Sequence, residues 1–233
     1  MNQGYFLELT SKDSELFEEF LAQQDFTELS AQEQEKFAIV RRQTLKGNQR
    51  YTSPYLDNLQ SHILGADYPL YADFFAPYVR RRMAPEYVAP DAVAAYLMSE
   101  FPFRGNEAVL LDRMIYEGAL RYAVLRALPS LPMTTLMGWT PDELKEVERN
   151  EAGIWRAIVE RHALYTPDRT ATARYFLDRP SDFLSDKLPG RLGAWIGLRI
   201  VSRYMDHTHA PLDSLLRTTD AQAVLIASKY RPR

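Results

Sequence analysis

The chain of 233 residues carries 28 lysines and arginines against 31 aspartates and glutamates, a formal net charge of -3. That near balance speaks against a general nucleic-acid surface, which shows a basic excess. With no cysteine, disulfides, thiolate zinc sites and cysteine nucleophiles are excluded, and a chain of this length can bury a core without them.

The first twenty residues, MNQGYFLELTSKDSELFEEF, lack the basic start and the apolar run of about 7 to 15 residues that a secretory signal requires. No signal peptide is therefore expected in this chain. Helical spacing runs from Ser11 to Ala22, and Ser30 followed by Glu33 forms a capping box that opens a helix through Arg42. Residues 1–50 are more polar than the rest, so they form an N-terminal helical segment, followed by a helical domain over 51–233. Helical spacing resumes over Leu70 to Met83, where Arg80, Arg81 and Arg82 are expected on the solvated face opposite Phe74, Phe75 and Val79.

Further helices are expected over Pro90 to Phe101 and over Asn106 to Leu128. In the latter, Leu111, Ile115, Tyr122 and Leu125 recur at helical steps, and Pro129 ends the pattern. Thr140 with Glu143 is a second capping box, with Pro141 at the first helical position, opening a helix through Trp155 to His162. Pro167 to Leu177 and Arg191 to Met205 follow. The most apolar window, Leu192 to Val201, is about half the length that crosses a bilayer and contains Arg199, so no transmembrane segment is expected. Thr219 with Gln222 starts the last helix. No alternating run bounded by turn residues marks a strand pair, so the fold class is mainly α, a single multi-helix globular domain.

The chemistry-bearing residues point away from the common mechanisms. His62, His162, His207 and His209 include no pair four apart on a helix, the spacing that aims two imidazoles at one zinc ion, so neither a metal nor another cofactor is expected. GxSxG, P-loop and GxGxxG patterns are absent. Glu117 borders the apolar stripe in MIYEGALRYA, one turn from both Arg113 and Arg121. In PGRLGAWIGLRIV, Gly193 and Gly197 cost a helix about 1 to 2 kcal/mol together, which implies that a helix or side chain packs against that backbone, with Trp195 over the gap. Arg191 stands at the mouth of this helix, where it could hold Glu117 or Glu151 in a bidentate pair. The expected polar cluster is thus Glu117, Glu151 and Arg191, and the expected packing or binding residues are Gly193, Gly197, Trp155 and Trp195.

Six segments carry a family resemblance: LGADYPLY (Leu64 to Tyr71), PEYVAPDAVAAYL (Pro85 to Leu97), LLDRMIYEGALRYAV (Leu110 to Val124), GWTPDELKEVERNEAGIW (Gly138 to Trp155), LPGRLGAWIGLRIVSRYM (Leu188 to Met205) and SKYRP (Ser228 to Pro232). In this order they resemble the GldB family of gliding-motility lipoproteins. The resemblance implies an outer-membrane lipoprotein facing the periplasm, with envelope proteins as partners, a lipid anchor upstream of this chain, and a role in gliding motility or an associated secretion or assembly function. GldB-like sequences are also distantly similar to predicted zinc proteases in which an HExxH helix precedes a helix bearing a glutamate ligand. Glu117 stands where that glutamate falls, but Val88 to Phe103 contains no histidine. On that ancestry the chain is a pseudoenzyme on a degenerate zincin-like helical core.

Three functions remain open on the sequence. One is a non-catalytic envelope module. Another is a hydrolase, either built on Glu117 and Glu151 as acid and base with Arg191 as electrostatic partner or descended from a metalloprotease. The last is a peptide or small-ligand binder using Trp139, Trp155 and Trp195. An open pocket holding both glutamates would favour the hydrolase; ion pairs closed on themselves would favour the module.

Overall fold

The computed structural model describes residues 75–106, 108–180 and 188–232. The helices expected over 11–22 and 30–42, and His62, lie outside them. Nine α-helices and no strand occur among the described residues: α1 (Pro77–Arg81), α2 (Val88–Glu100), α3 (Leu110–Ala127), α4 (Met133–Met137), α5 (Pro141–Glu160), α6 (Arg169–Arg174), α7 (Leu192–Thr208), α8 (Leu212–Leu216) and α9 (Ala221–Ser228). A single 3-10 turn, Pro85–Tyr87, leads into α2.

The centre is the pairing of α3 with α7. Leu110, Leu111, Met114 and Ile115 of α3 meet Leu192, Trp195, Ile196 and Ile200 of α7 in one core, into which α5 sends Val147, Ile154 and Ile158. What sets the depth of the crossing is the absence of side chains at two points. A Cβ on Gly197 would fall 1.8 Å from the carbonyl oxygen of Met114, and one on Gly118 would fall 2.3 Å from the carbonyl carbon of Gly197. The helices therefore touch backbone to backbone, a separation no larger residue permits.

A second close approach positions the start of α7. A Cβ on Gly190 would fall 2.2 Å from the Leu177 carbonyl oxygen, and one on Gly193 would fall 2.9 Å from Tyr175 Cβ. The 188–193 strip lies flat against 175–179, tied by Arg191 N–H to Leu177 O at 2.9 Å and Gly193 N–H to Tyr175 O at 2.8 Å.

The helix starts differ in how they were legible. At α5 the capping box is complete: Glu143 N–H donates to Thr140 Oγ1 at 3.1 Å and Thr140 N–H to Glu143 Oε2 at 2.6 Å. At α9 the cap is Asp220, whose Oδ1 accepts from Ala223 N–H at 2.8 Å. The start expected at Thr219 is thus displaced by one residue, since a carboxylate is the stronger acceptor at a positive helix end. Two five-residue helices, α4 and α8, lie where helical spacing predicts none. Helices of one turn fall below the length at which a periodic stripe can be recognised.

Candidate functional site

Each of the three residues expected to share a polar cluster has an ion-pair partner other than those two. Glu117 is gripped from both sides along α3, by Arg121 Nη1 at 2.5 Å and Arg113 Nη2 at 3.5 Å. Arg121 is buried, which makes this more than the weak surface pairing that i, i+4 spacing alone indicates. Glu151 faces the other side of the core, taking Arg199 Nε at 3.1 Å and the Tyr230 hydroxyl at 2.8 Å. Arg191 takes Asp178. No ion pair joins Arg191 to either glutamate among the described residues. The cause is the backbone: the Gly190 and Gly193 contacts lay the 175–179 strip beside Arg191 and bring Asp178 to it first.

Arg191 also pays a conformational cost. Its φ of 63° is left-handed, a region that costs a residue with a side chain about 1 to 3 kcal/mol and persists only where surrounding structure imposes it. Here the two flanking backbone hydrogen bonds and the Asp178 pair do so. Burial, the largest single influence, raises the Asp178 carboxyl, but the charge and hydrogen bond of Arg191 together with the charges of Arg82 and Arg121 outweigh it and hold it below its ordinary value.

The arginine run ends differently from its expected solvated face. Arg82 is buried, donating from Nη2 to Asp91 Oδ1 at 2.9 Å and lying over the Tyr87 ring at 5.4 Å. Arg81 donates from Nη1 to Gly138 O at 3.0 Å and to Glu143 Oε2 at 2.7 Å, so Glu143 serves the capping box and the ion pair with one carboxylate. Gly138 is left-handed at φ 75°, and a Cβ there would crowd Arg82 at 3.0 Å. Three short motifs invisible to one another in sequence meet at this point: the end of α1, the turn between α4 and α5, and the approach to α7.

Tyr230, in the terminal SKYRP segment, is the partner of Glu151 that spacing arguments missed. Its ring meets Trp155 edge-on at 5.2 Å while its hydroxyl donates to Glu151. Burial, and then the Glu151 carboxylate, push its phenol strongly upward, with Arg199 and Arg203 opposing. The signal available was a lone tyrosine after a helix, indistinguishable from a surface residue. Of the other tryptophans, Trp195 is wholly buried and packs on Trp139 with ring centres 5.5 Å apart, and Trp139 Nε1–H donates to Gly190 O at 3.2 Å.

His162, His207 and His209 are exposed, and no group of three or more histidines and carboxylates among the described residues is arranged to hold a metal ion. Among the described residues, two surface clefts stand out. One lies between the α2–α3 loop and α8, lined by Phe101, Phe103, Tyr116 and Arg217. The other lies between α1, the α4–α5 turn and the approach to α7. Neither Glu117 nor Glu151 lines either cleft.

The described residues thus form an all-helical domain organised on one glycine-to-glycine helix crossing, with its interior charges paired off around it. The family of gliding motility protein GldB matches residues 59–232, and the chain belongs to that family. No curated protein and no solved structure is significantly similar to it. Membership connects the domain with gliding motility and, through the lipoprotein character of the family, with the cell envelope. Among the described residues no helix is long and apolar enough to cross a membrane.

Proposed function

We propose that the domain is a non-catalytic interaction module on the periplasmic face of the cell envelope, an outer-membrane lipoprotein-type component that binds other envelope proteins in gliding motility or an associated secretion or assembly process. The observation that carries this reading is the pairing of the two candidate catalytic carboxylates. Glu117 is held between two arginines and Glu151 between an arginine and a tyrosine hydroxyl. A general acid or base needs a free face within reach of a substrate proton, whereas these groups spend their hydrogen-bonding capacity on the fold. The pseudoenzyme reading gains the same support: Glu117, which stands where the predicted zinc proteases carry their glutamate ligand, is engaged by Arg113 and Arg121.

The experiment is genetic. In a gliding strain lacking the gene, the full-length gene carrying Glu117→Gln and Glu151→Gln together is expected to restore colony spreading whenever the protein accumulates normally, and the tagged product is expected in the envelope fraction. Normal accumulation without spreading would show that the carboxylates do chemistry. A product confined to the cytoplasm would refute the envelope assignment independently.

A further inference from the structure

Single apolar side chains on a surface need no explanation, but exposed ones gathered in one place do. Four large apolar residues stand well exposed among the described residues, Tyr96, Val159, Tyr165 and Ile226, and two contacts place the last three on one ridge. The Trp155 ring meets Tyr230 just beyond the end of α9, and the Tyr165 hydroxyl donates to Gln222 Oε1 at 2.6 Å in its first turn. The end of α5 and the turn after it therefore run antiparallel to α9. Val159 lies one turn past Trp155 and Ile226 one turn past Gln222, so both fall between the two ties. There Ile226 is 66% exposed, Tyr165 55% and Val159 44%.

We propose that this ridge docks on an anionic phospholipid surface, with Ile226 and Val159 entering the headgroup layer, Tyr165 at its edge, and Arg156, Lys229 and Arg231 against the phosphates. Charge singles out the occupant. The chain as a whole is acidic, at -3, yet the exposed fixed charges of 155–166 and 220–231 are Arg156, Arg161, Lys229 and Arg231 against Glu160 and Asp220. That sign matches an anionic surface and sets two copies of the chain against each other. Three apolar tips are also few for a protein interface, which spans about 20 to 30 residues a side. A peripheral membrane contact is built from such parts: a few apolar tips, an aromatic ring at headgroup level, and lysines and arginines beside them.

The cations are fixed beside the apolar tips. α9 closes with Lys229 in the left-handed region, at φ 50°, and the chain then buries Tyr230 while leaving Lys229 and Arg231 exposed on either side of it. Tyr230 is held by the Trp155 ring and by its bond to Glu151. The backbone that carries both cations is thus ordered before any contact with lipid, so little of the binding free energy is lost to ordering it. The proposal goes beyond the functional reading above, which concerns protein partners, and does not depend on it.

The test is co-sedimentation of the 233-residue chain with vesicles of phosphatidylcholine alone and of phosphatidylcholine mixed with phosphatidylglycerol. Binding is expected to the mixed vesicles only and should weaken as sodium chloride is raised. Each cation at an anionic surface contributes about fivefold, so Lys229→Ala with Arg231→Ala should lower the partition coefficient about thirtyfold. Ile226→Gln should lower it severalfold with the charge unchanged, and Lys145→Ala, in the first half of α5, should leave it nearly as it was. All four positions are exposed, so each variant is expected to melt with the wild type. Because the chain has no cysteine, a polarity-sensitive dye on Ile226→Cys reports the ridge alone. Its emission should shift to the blue on the mixed vesicles, while the same dye on Asp142→Cys, roughly 25 Å from Val159 along α5, should not shift. Equal binding to both vesicles, no binding to either, binding that survives the substitutions, or equal dye shifts at the two positions overturns the proposal. A dimer in sedimentation velocity that Ile226→Gln dissociates also overturns it and assigns the ridge to a second copy of the chain.

Discussion

The α3–α7 crossing and the arginine cleft hold the same domain together by opposite means. At the crossing, stability comes from what is missing: two glycines let backbones touch, and the surrounding residues are apolar. At the cleft, it comes from desolvated charges whose value depends on each partner being present. The first region should fail when atoms are added and the second when atoms are removed, so the direction of a substitution, more than its size, tells which region it struck.

Removing a charge gives the largest expected effect. Arg82→Ala removes a buried ion-pair partner of Asp91, 3% exposed, and should cost about 3 to 5 kcal/mol in urea unfolding. A loss under about 1 kcal/mol would mean that the pair is solvated and that the cleft behaves as a surface. Next comes the addition of one methyl group. Gly197→Ala should cost about 1 to 3 kcal/mol, at the upper end because the clash is with a carbonyl rather than a side chain. Gly153→Ala supplies the control: its Cβ would meet nothing within 4 Å, so in an exposed stretch of α5 it should stabilise by about 0.5 to 1 kcal/mol. Loss at both positions would attribute the Gly197 result to something other than the crossing.

Tyr230→Phe removes one hydrogen bond and keeps the ring on Trp155, so about 1 kcal/mol is expected. The same pair of proteins carries a pH test. The Tyr230 phenol is raised above its ordinary 10.0 in the fold, so its contribution is complete below pH 10 and falls as pH rises beyond that value, where the unfolded chain ionises first. The stability gap between wild type and Tyr230→Phe should therefore narrow above pH 10. Asp178 gives the smallest and opposite response. Its carboxyl is depressed below 3.8, so its contribution is complete above that pH and drains away as pH falls through the lower folded value. Melting points of wild type and Asp178→Asn compared from pH 6 to pH 3 should converge at the acid end; a constant difference would show that Asp178 gains nothing from the arginines.

The sequence was most informative where structure is local. Thr140, Pro141 and Glu143 lie within one turn of one another, so the start of α5 could be read directly, and the four longest helices each fall on a segment with helical spacing. The Thr219 start went wrong by one position because Asp220 competes for the same donors. The glycines announced a cost without naming what offsets it: Gly197 lies opposite Gly118, about eighty positions away, and no spacing rule reaches that far. Arg82 was illegible for a related reason. In a run of three arginines nothing local distinguishes the one that turns inward, since the choice is made by Asp91, the Tyr87 ring and the bare backbone of Gly138. The Arg113 and Arg121 partners of Glu117 are legible from helical spacing, whereas Arg199 and Tyr230 reach Glu151 from distant elements and Asp178 reaches Arg191 through the backbone strip at Gly190 and Gly193.

The distance between Gly118 and Gly197 also imposes an order on biosynthesis. When α3 leaves the ribosome, the face that packs on α7 has no partner yet, since Gly197 is about eighty residues beyond Gly118. At synthesis rates of about 5 to 20 residues per second, that face waits on the order of 4 to 16 seconds for α7. A core closed by so late an arrival cannot form in instalments, and the nascent chain must be kept from aggregating until α7 has emerged.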